Sequence, residues 1–239
     1  MNRDALAGSL RVLRDIGFRP NVVIDVGAAF GTFALLETFP DAHHYLAEPL
    51  AEFEPALSEV SKSVERATLF IGVIGSDDQP TVLKVHRDLL GSSLLAESAD
   101  DFGSVERTVD SIALDSLVTE RTGQFLLKID VQGAELTVLR GAKSVLESTA
   151  VAVIECSLFQ FFQDGASITE IIDFMTDNQF SIYDIIESQY RPLDGALAQV
   201  DLVFVPTSSS LRNDVRYATP EQRKVQDKKF KKGIARFIS

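Results

Sequence analysis

The segment from Val22 to Gly31 constrains the fold more than any other part of the chain. Its first residues are apolar and mostly β-branched, which is typical of a buried strand, and Asp25 stands near the end of that run. Gly27 and Gly31 then mark a tight turn, and residues 32–38 have the pattern of a helix. A strand, a glycine turn and a helix in direct succession let a ligand approach the backbone and its free N–H groups. The segment therefore predicts a ligand site at the end of a first strand.

Beyond this segment, short apolar runs alternate with helical patterns. Strands and helices that alternate at this spacing favour an α/β fold with a largely parallel sheet and helices on both faces. Pro192 and Gly195 separate the last two predicted strands and indicate an antiparallel hairpin at one edge. In such sheets, ligands bind beyond the carboxyl ends of the strands. The predicted strands cover residues 22–26, 43–47, 68–74, 81–86, 105–114, 124–130, 151–156, 180–186 and 199–206, and the predicted helices cover the segment before Gly17 and residues 32–38, 52–60, 133–147 and 168–178.

The charge of the chain is unevenly distributed. The net charge is −12, yet residues 212–239 contain 9 Lys and Arg against 3 Asp and Glu. An acidic body disfavours nucleic-acid binding, because contacts to phosphates need a basic surface. We therefore predict one domain over residues 1–206, followed over residues 207–239 by a linker and a basic helical tail.

A helix is predicted within this basic tail. Thr219, Pro220 and Gln222 form the pattern of a helix start with a capping box. Some of the apolar residues that follow share one face among lysines, which suits the surface of a membrane. The same helix could instead dock on the acidic body, join a second subunit in a homo-oligomer, or stay solvated. These apolar residues are Val225, Phe230, Ile234 and Phe237.

The sequence also indicates a cytoplasmic protein. The N-terminus mixes charged residues among apolar ones and shows no signal peptide. No apolar run approaches the roughly 20 residues that span a bilayer. The lone Cys156 cannot form an internal disulfide and lies in an apolar run, so we expect a buried thiol in a reducing compartment.

Two classes of nucleotide ligand compete for the glycine turn. A dinucleotide fold would carry the pattern G-x-G-x-x-G, whereas three residues separate Gly27 from Gly31. Asp25 occupies a position at which that pattern usually has an apolar residue, and Glu48, at the end of the next strand, suits ribose hydroxyls. This combination favours S-adenosylmethionine (SAM), with NAD as the alternative. The predicted cofactor-binding residues are Asp25, Gly27, Ala28, Gly31, Glu48, Pro49, Val73 and Asp130.

A second polar strand end contains Lys128 and Asp130. The two residues alternate with apolar neighbours, so both side chains point to one face of a buried strand. Charges near a sheet core are costly unless they are paired, and we therefore expect Lys128 to pair with an acid. Asp130 lies at the strand end where a reaction would occur, which makes it the first functional candidate.

Several segments together resemble the FkbM family of SAM-dependent methyltransferases. They are residues 23–28, 48–49, 128–135 and 139–142, supported by residues 114–117 and 153–155. The resemblance extends from about residue 21 to residue 206. It implies a seven-stranded, Rossmann-like class I methyltransferase fold and methylation of hydroxyl groups on sugars, polyketides or related metabolites. Most members that share this pattern have Glu where this chain has Gln132, and this difference removes a negative charge beside the site.

Methyl transfer to an alcohol benefits from a general base, typically by about 10²–10⁴-fold. Asp130 is the predicted base, and His86 is the second candidate because an imidazole titrates near neutral pH. Glu155 is predicted to contact the acceptor or to orient a neighbouring group. Asp130 and Glu155 could also hold Mg²⁺, but two scattered carboxylates are weak support for a metal, and we expect none.

The acceptor itself is not identified by the sequence. Ser92 and Ser93 are predicted to line its pocket, whereas His43 and His44 begin their strand and are interpreted as structural. The predicted function is transfer of a methyl group from SAM to a hydroxyl of a small molecule or glycan, with S-adenosylhomocysteine (SAH) as product. Two other classes stay open: an NAD-dependent oxidoreductase of nucleotide sugars, and a non-catalytic SAM-binding module suggested by Gln132.

Overall fold

A computed structural model describes residues 3–99 and 103–238 of the chain. It consists of two compact units, Met1–Thr207 and Ser208–Ser239. The larger unit is built around a sheet of seven strands, joined by two sheets of two strands each. The strands are β1 (Val22–Val26), β2 (His43–Glu48), β3 (Arg66–Ile71), β4 (Val73–Gly75), β5 (Thr81–Val85), β6 (Val105–Val109), β7 (Ser111–Ala113), β8 (Phe125–Ile129), β9 (Thr149–Ser157), β10 (Phe180–Tyr190) and β11 (Leu197–Pro206).

Helices connect the strands of the larger unit. Two short turns are 3-10 helices, one at Ala51–Phe53 and the other, in the smaller unit, at Ser210–Arg212. The predicted helix over residues 133–147 is divided in the structure, because two separate helices flank Gly141. The helices are α1 (Leu6–Asp15), α2 (Phe33–Thr38), α3 (Glu54–Ser61), α4 (Leu114–Leu117), α5 (Glu135–Arg140), α6 (Lys143–Ser148), α7 (Ile168–Asp177) and α8 (Pro220–Ile238), the last of which belongs to the smaller unit.

The seven strands follow the order β10-β11-β9-β8-β1-β2-β3. All neighbours are parallel except β11, which runs antiparallel to both β9 and β10. This topology confirms the predicted Rossmann-like α/β fold and its antiparallel edge hairpin. The central strands β1 and β8 are buried along their whole length, as expected for parallel strands covered on both faces. Their register places Asp25 beside Lys128, so two charged residues meet in the middle of the sheet.

The predicted strand over residues 68–74 is wrong as a single element. It is divided at Gly72 into β3, which pairs with β2, and β4, which pairs with β7 in a separate sheet. The N–H of Gly72 still donates to the main-chain oxygen of Glu48, whereas that of Val73 donates to Asp110. A Cβ on Gly72 would lie 2.6 Å from the Phe70 ring, so glycine lets the chain change partners at this point.

The smaller unit contains α8, whose start has the predicted capping box. The N–H of Thr219 donates to Oε1 of Gln222 (2.8 Å), and the N–H of Gln222 donates to Oγ1 of Thr219 (3.2 Å). Phe230 is exposed on this helix, whereas the side chain of Phe237 lies outside the described part of the chain. Among the described helices, none combines the length and apolar character needed to cross a bilayer. Membrane contact and oligomerisation through α8 stay predictions.

Candidate active site

A cavity of about 420 Å³ lies at the carboxyl ends of the central strands. The strand ends form its floor, and residues of the insertion between β4 and β6 also line it. The structure therefore brings together the polar strand ends that the sequence singles out. The predicted site residues that line the cavity are Gly27, Glu48, Pro49, Val73, Ser92, Ser93, Asp130 and Glu155, whereas Asp25, Ala28, Gly31 and His86 lie outside its lining.

The turn after β1 needs glycine at two positions for two different reasons. Gly27 has a φ of +83°, and a Cβ added there would collide with the main-chain oxygen of Asp130. Gly31 has a φ of +95°, but a Cβ there would meet the side chain of Val60 at 3.0 Å. Gly27 thus brings the turn close to the end of β8, whereas Gly31 serves the packing of helices behind the turn.

The prediction that this turn offers free N–H groups to a ligand is wrong for most of its residues. The N–H groups of Gly27 and Ala28 both donate to the main-chain oxygen of Ala47. The N–H of Ala29 donates to Oε2 of Glu48 (2.9 Å), and that of Thr32 donates to Oδ2 of Asp25 (3.2 Å). The turn is therefore held by the chain itself, and its contribution to a ligand is close approach rather than N–H donation.

Asp25 and Lys128 form a buried charged pair beneath the cavity. Nζ of Lys128 lies 3.0 Å from Oδ2 of Asp130 and 4.0 Å from Oδ1 of Asp25, which confirms that Lys128 pairs with acids. Burial opposes the charge of Lys128, but the two carboxylates outweigh it and hold the pKa of Lys128 above its ordinary value. Burial raises the pKa of Asp25, and the nearby Lys128 offsets part of that effect.

Asp130 and Glu155 face each other across the side-chain amide of Gln132. Nε2 of Gln132 donates to Oδ1 of Asp130 (3.2 Å) and to Oε2 of Glu155 (3.1 Å). Gln132 has a φ of +55°, a backbone conformation that residues other than glycine and asparagine rarely adopt. A strained backbone thus presents a neutral amide to two carboxylates at the end of β8, and both line the cavity.

Burial and neighbouring negative charges raise the pKa values of Glu155, Glu135 and Asp201. Burial is the largest cause for Glu155, and the charges of Asp130, Glu135 and Asp201 add to it, so the pKa of Glu155 lies well above its usual range. Burial likewise raises the pKa of Glu135 to about 7 and that of Asp201 to about 6. Glu155 therefore retains its proton more readily than an ordinary glutamate and can donate as well as accept a hydrogen bond.

The two predicted acceptor serines use their hydroxyls within the chain. Oγ of Ser93 donates to the main-chain oxygen of Gln132 (2.7 Å), and Oγ of Ser92 accepts from the N–H of His86 (3.0 Å). Ser93 thereby links the insertion to the turn after β8. His86 itself contacts Asp88, with Nδ1 at 2.8 Å from Oδ1, and lies outside the cavity lining. The catalytic role of His86 stays a prediction.

The residues interpreted as structural have partners within the fold. Nδ1 of His43 lies 2.6 Å from Oε1 of Glu120, and Nε2 of His44 lies 2.9 Å from the main-chain oxygen of Phe39. Cys156 is a buried free thiol, as predicted, and burial raises its pKa well above the ordinary value. Neither histidine lines the cavity.

The cavity fits the adenosyl cofactor that the sequence predicts. Each carboxylate oxygen of Glu48 accepts one backbone N–H, from Ala29 and from Leu50 (3.0 Å), which fixes the group and leaves lone pairs for ribose hydroxyls. Gly27 lets the turn lie directly against the end of β8, where an added Cβ would collide with the main-chain oxygen of Asp130. Oδ1 of Asp25 is buried without a hydrogen-bond partner in the described structure. Among all the described residues, no group of three or more His, Cys, Asp or Glu is arranged to hold a metal ion.

Several lining residues were not predicted from the sequence. Gln189 and Gln199 belong to the edge hairpin, and no motif marks them as functional. In the sequence Gln132 stands out only as a difference from the family pattern, although its place two residues after Asp130 is a usable signal. The apolar lining from the insertion consists of Leu83, Leu89, Leu90 and Leu94.

Comparisons with known proteins identify a family and similar folds. The family described as methyltransferase FkbM domain matches residues 25–182. A comparison with curated proteins finds no match. Among solved structures, a SAM-dependent methyltransferase from Clostridium acetobutylicum is similar with a TM-score of 0.51 at 8% identity, covering 86% of this chain and 92% of that chain. Magnesium protoporphyrin IX methyltransferase from Synechocystis, solved with bound SAM, has a TM-score of 0.49 at 10% identity, covering 84% of this chain and 77% of that chain.

Proposed function

The chain belongs to the FkbM methyltransferase family, and on that premise we propose that it transfers the methyl group of SAM to a hydroxyl of a glycan, polyketide or related small molecule. SAM supplies an electrophilic methyl group on a sulfonium. The observation that carries the proposal is the position of Asp130. Its carboxylate lines the cavity beside the Gly27 turn and is held at one oxygen by Lys128 and at the other by Gln132.

This arrangement suits Asp130 to the role of general base. Two donors fix the carboxylate, and each oxygen keeps a lone pair that can accept the proton of a hydroxyl. Its side chain is 33% exposed, against 8% for that of Lys128, so an acceptor can reach the carboxylate but not the lysine. Glu155 stands 3.1 Å from the same Gln132 amide and can orient the acceptor oxygen.

The cofactor would be held by the residues around the first two strand ends. Glu48 would accept hydrogen bonds from ribose hydroxyls, and Pro49 and Val73 would contact the adenosine from the cavity wall. Asp25 would act indirectly, because it holds Thr32 and Lys128 from below. Alignment of the reacting groups alone can contribute roughly 7–11 kcal/mol.

The test is methyl transfer by the Asp130→Asn variant to a panel of glycans and polyketides, measured as SAH release. We expect kcat to fall by about 10²–10⁴-fold, because the amide cannot take the proton. Calorimetry of this variant with SAH separates the two predicted roles of Asp130, because reduced affinity would show that Asp130 also binds the cofactor. Asp227→Asn, on exposed α8, is the matched control and should retain full activity.

Two results would contradict the proposal. Asp130→Asn with wild-type turnover would exclude this residue as the base. Wild-type protein that binds SAM tightly but methylates no member of the panel would favour the non-catalytic SAM-binding module.

A further inference from the structure

The part of the cavity beyond Asp130 has an unusual chemical character. Asp130 and Glu155 contribute carboxyl groups, and Gln132, Gln189 and Gln199 contribute amides. Within the described ranges 3–99 and 103–238, no Lys, Arg or His lines the cavity. Any group that binds here therefore meets acceptors and neutral donors, because the buried Lys128 lies behind Asp130 and is already paired with it.

Gln189 and Gln199 are brought together by the edge hairpin. They are direct partners in the register of β10 and β11, and the register shifts on both sides of Gln189. Bulges of this kind re-aim side chains and are frequent beside active sites. The bulge contains Glu187, which has a φ of +51°. Glu187 is anchored from outside the hairpin, because its Oε1 accepts the N–H of Leu6 at 2.6 Å.

The amides of this pair differ from that of Gln132. Gln132 uses its amide to hold Asp130 and Glu155. By contrast, no hydrogen bond joins the side chain of Gln189 or Gln199 to another described residue. Each amide has two N–H donors and an oxygen acceptor to offer. Gln189 is exposed and Gln199 is half-buried, so both can reach a ligand in the cavity.

We propose that Gln189 and Gln199, together with Glu155, form the acceptor subsite, and that it takes the hydroxyl-bearing ring of an uncharged glycoside. This inference rests on the proposed methyl transfer. A sugar hydroxyl both donates and accepts, which matches amides and carboxyl groups alike. Apolar parts of the acceptor can pack against Leu89, Leu90 and Leu94, which line the same cavity.

The same lining excludes charged relatives of that acceptor. A sugar phosphate or a uronic acid would bring a negative charge towards Asp130, while Lys128 is buried behind that carboxylate and already paired with it. Like charges and an unpaired anion out of water are both unfavourable. Nucleotide-linked sugars therefore fall outside the proposed acceptor class.

The test is saturation-transfer NMR of the full chain with excess SAH. The probes are methyl glycosides of common hexoses and 6-deoxyhexoses, each beside the 6-phosphate or 1-phosphate of the same sugar. We expect transfer to at least one methyl glycoside and none to its phosphate. Gln189→Leu and Gln199→Leu should weaken that binding at least tenfold, whereas Gln160→Leu, an exposed glutamine outside the cavity lining, should leave it unchanged.

The outcomes separate this inference from the methyl-transfer proposal. Protein that binds SAH by calorimetry but no methyl glycoside contradicts the subsite alone, as does equal binding of the sugar phosphates. Wild-type affinity for glycosides in both leucine variants also contradicts it. Protein that binds glycosides but neither SAH nor SAM contradicts methyl transfer and leaves the subsite standing. Gln189→Leu suffices if Gln199→Leu does not fold, because Gln189 is exposed.

Discussion

The two halves of the cavity satisfy their polar groups in different ways. In the cofactor half, around β1 and β2, Glu48 and Asp25 already accept backbone N–H groups of the turn between them. In the acceptor half, beside β10 and β11, the amides of Gln189 and Gln199 have no such partners in the described structure. The comparison indicates that one half is preformed for a constant ligand, while the other gains its hydrogen bonds when the acceptor binds.

The largest effect is expected from a substitution of Gly27, in the cofactor half of the cavity. Gly27→Ala places a Cβ against the main-chain oxygen of Asp130, so the turn and β8 must separate. We expect loss of SAH binding by calorimetry and a clear drop in Tm. Gly195→Ala is the matched control: Gly195 has a φ of +75°, but a Cβ there meets nothing within 4 Å.

The Gly195→Ala control separates the effect of backbone strain from the effect of a steric collision. Gly195→Ala should cost only about 1–2 kcal/mol of unfolding free energy and leave SAH affinity unchanged. If Gly27→Ala behaves like this control, close approach of the turn to β8 is not what shapes the cofactor half.

A smaller effect concerns the buried carboxyl group of Glu135 beneath the acceptor half. Its pKa in the folded protein is about 7, above the ordinary value of 4.5. The contribution of Glu135 to stability is therefore fully present below about pH 4.5 and is lost as the pH rises through about 7. Glu135→Gln removes this titration. We expect the unfolding free energy of the wild type, relative to this variant, to fall by about 3 kcal/mol between pH 4.5 and pH 8.

Urea unfolding at several pH values measures this difference. The comparison with the variant is needed because His44, whose pKa is lowered by burial, acts in the opposite direction. Glu147→Gln, at an exposed position of α6, should leave the pH dependence unchanged. A difference between wild type and Glu135→Gln that does not vary with pH would show that Glu135 titrates normally.

The same contrast explains what the sequence could predict. Asp25, Gly27 and Glu48 lie in short motifs whose meaning depends on neighbours in the chain, so the sequence alone singles them out. Gln189 and Gln199 become a pair only through the register of two bulged strands, which no local pattern encodes. The division of β3 from β4 also depends on partners far along the chain, although Gly72 was a signal for it.

The catalytic roles of residues are harder to predict from the sequence than their places in the fold. Asp130 and Glu155 meet in the cavity, as their places at adjacent strand ends suggest. The chemistry of imidazole alone suggests His86 as a base, and residue type cannot show that the chain turns its ring towards Asp88. The assignment of the two serines to the acceptor also relies on residue type alone. In the structure, the hydroxyl of Ser93 donates to the main-chain oxygen of Gln132.

The most direct test of the central claim is calorimetric titration of the wild-type protein with SAH and with NAD in parallel. A preformed adenosyl site, built from Gly27 and Glu48, predicts that SAH binds to one site per chain and that NAD releases no heat. Binding of NAD without binding of SAH would contradict the account, because the glycine turn would then serve a dinucleotide and the proposed methyl transfer would lose its donor.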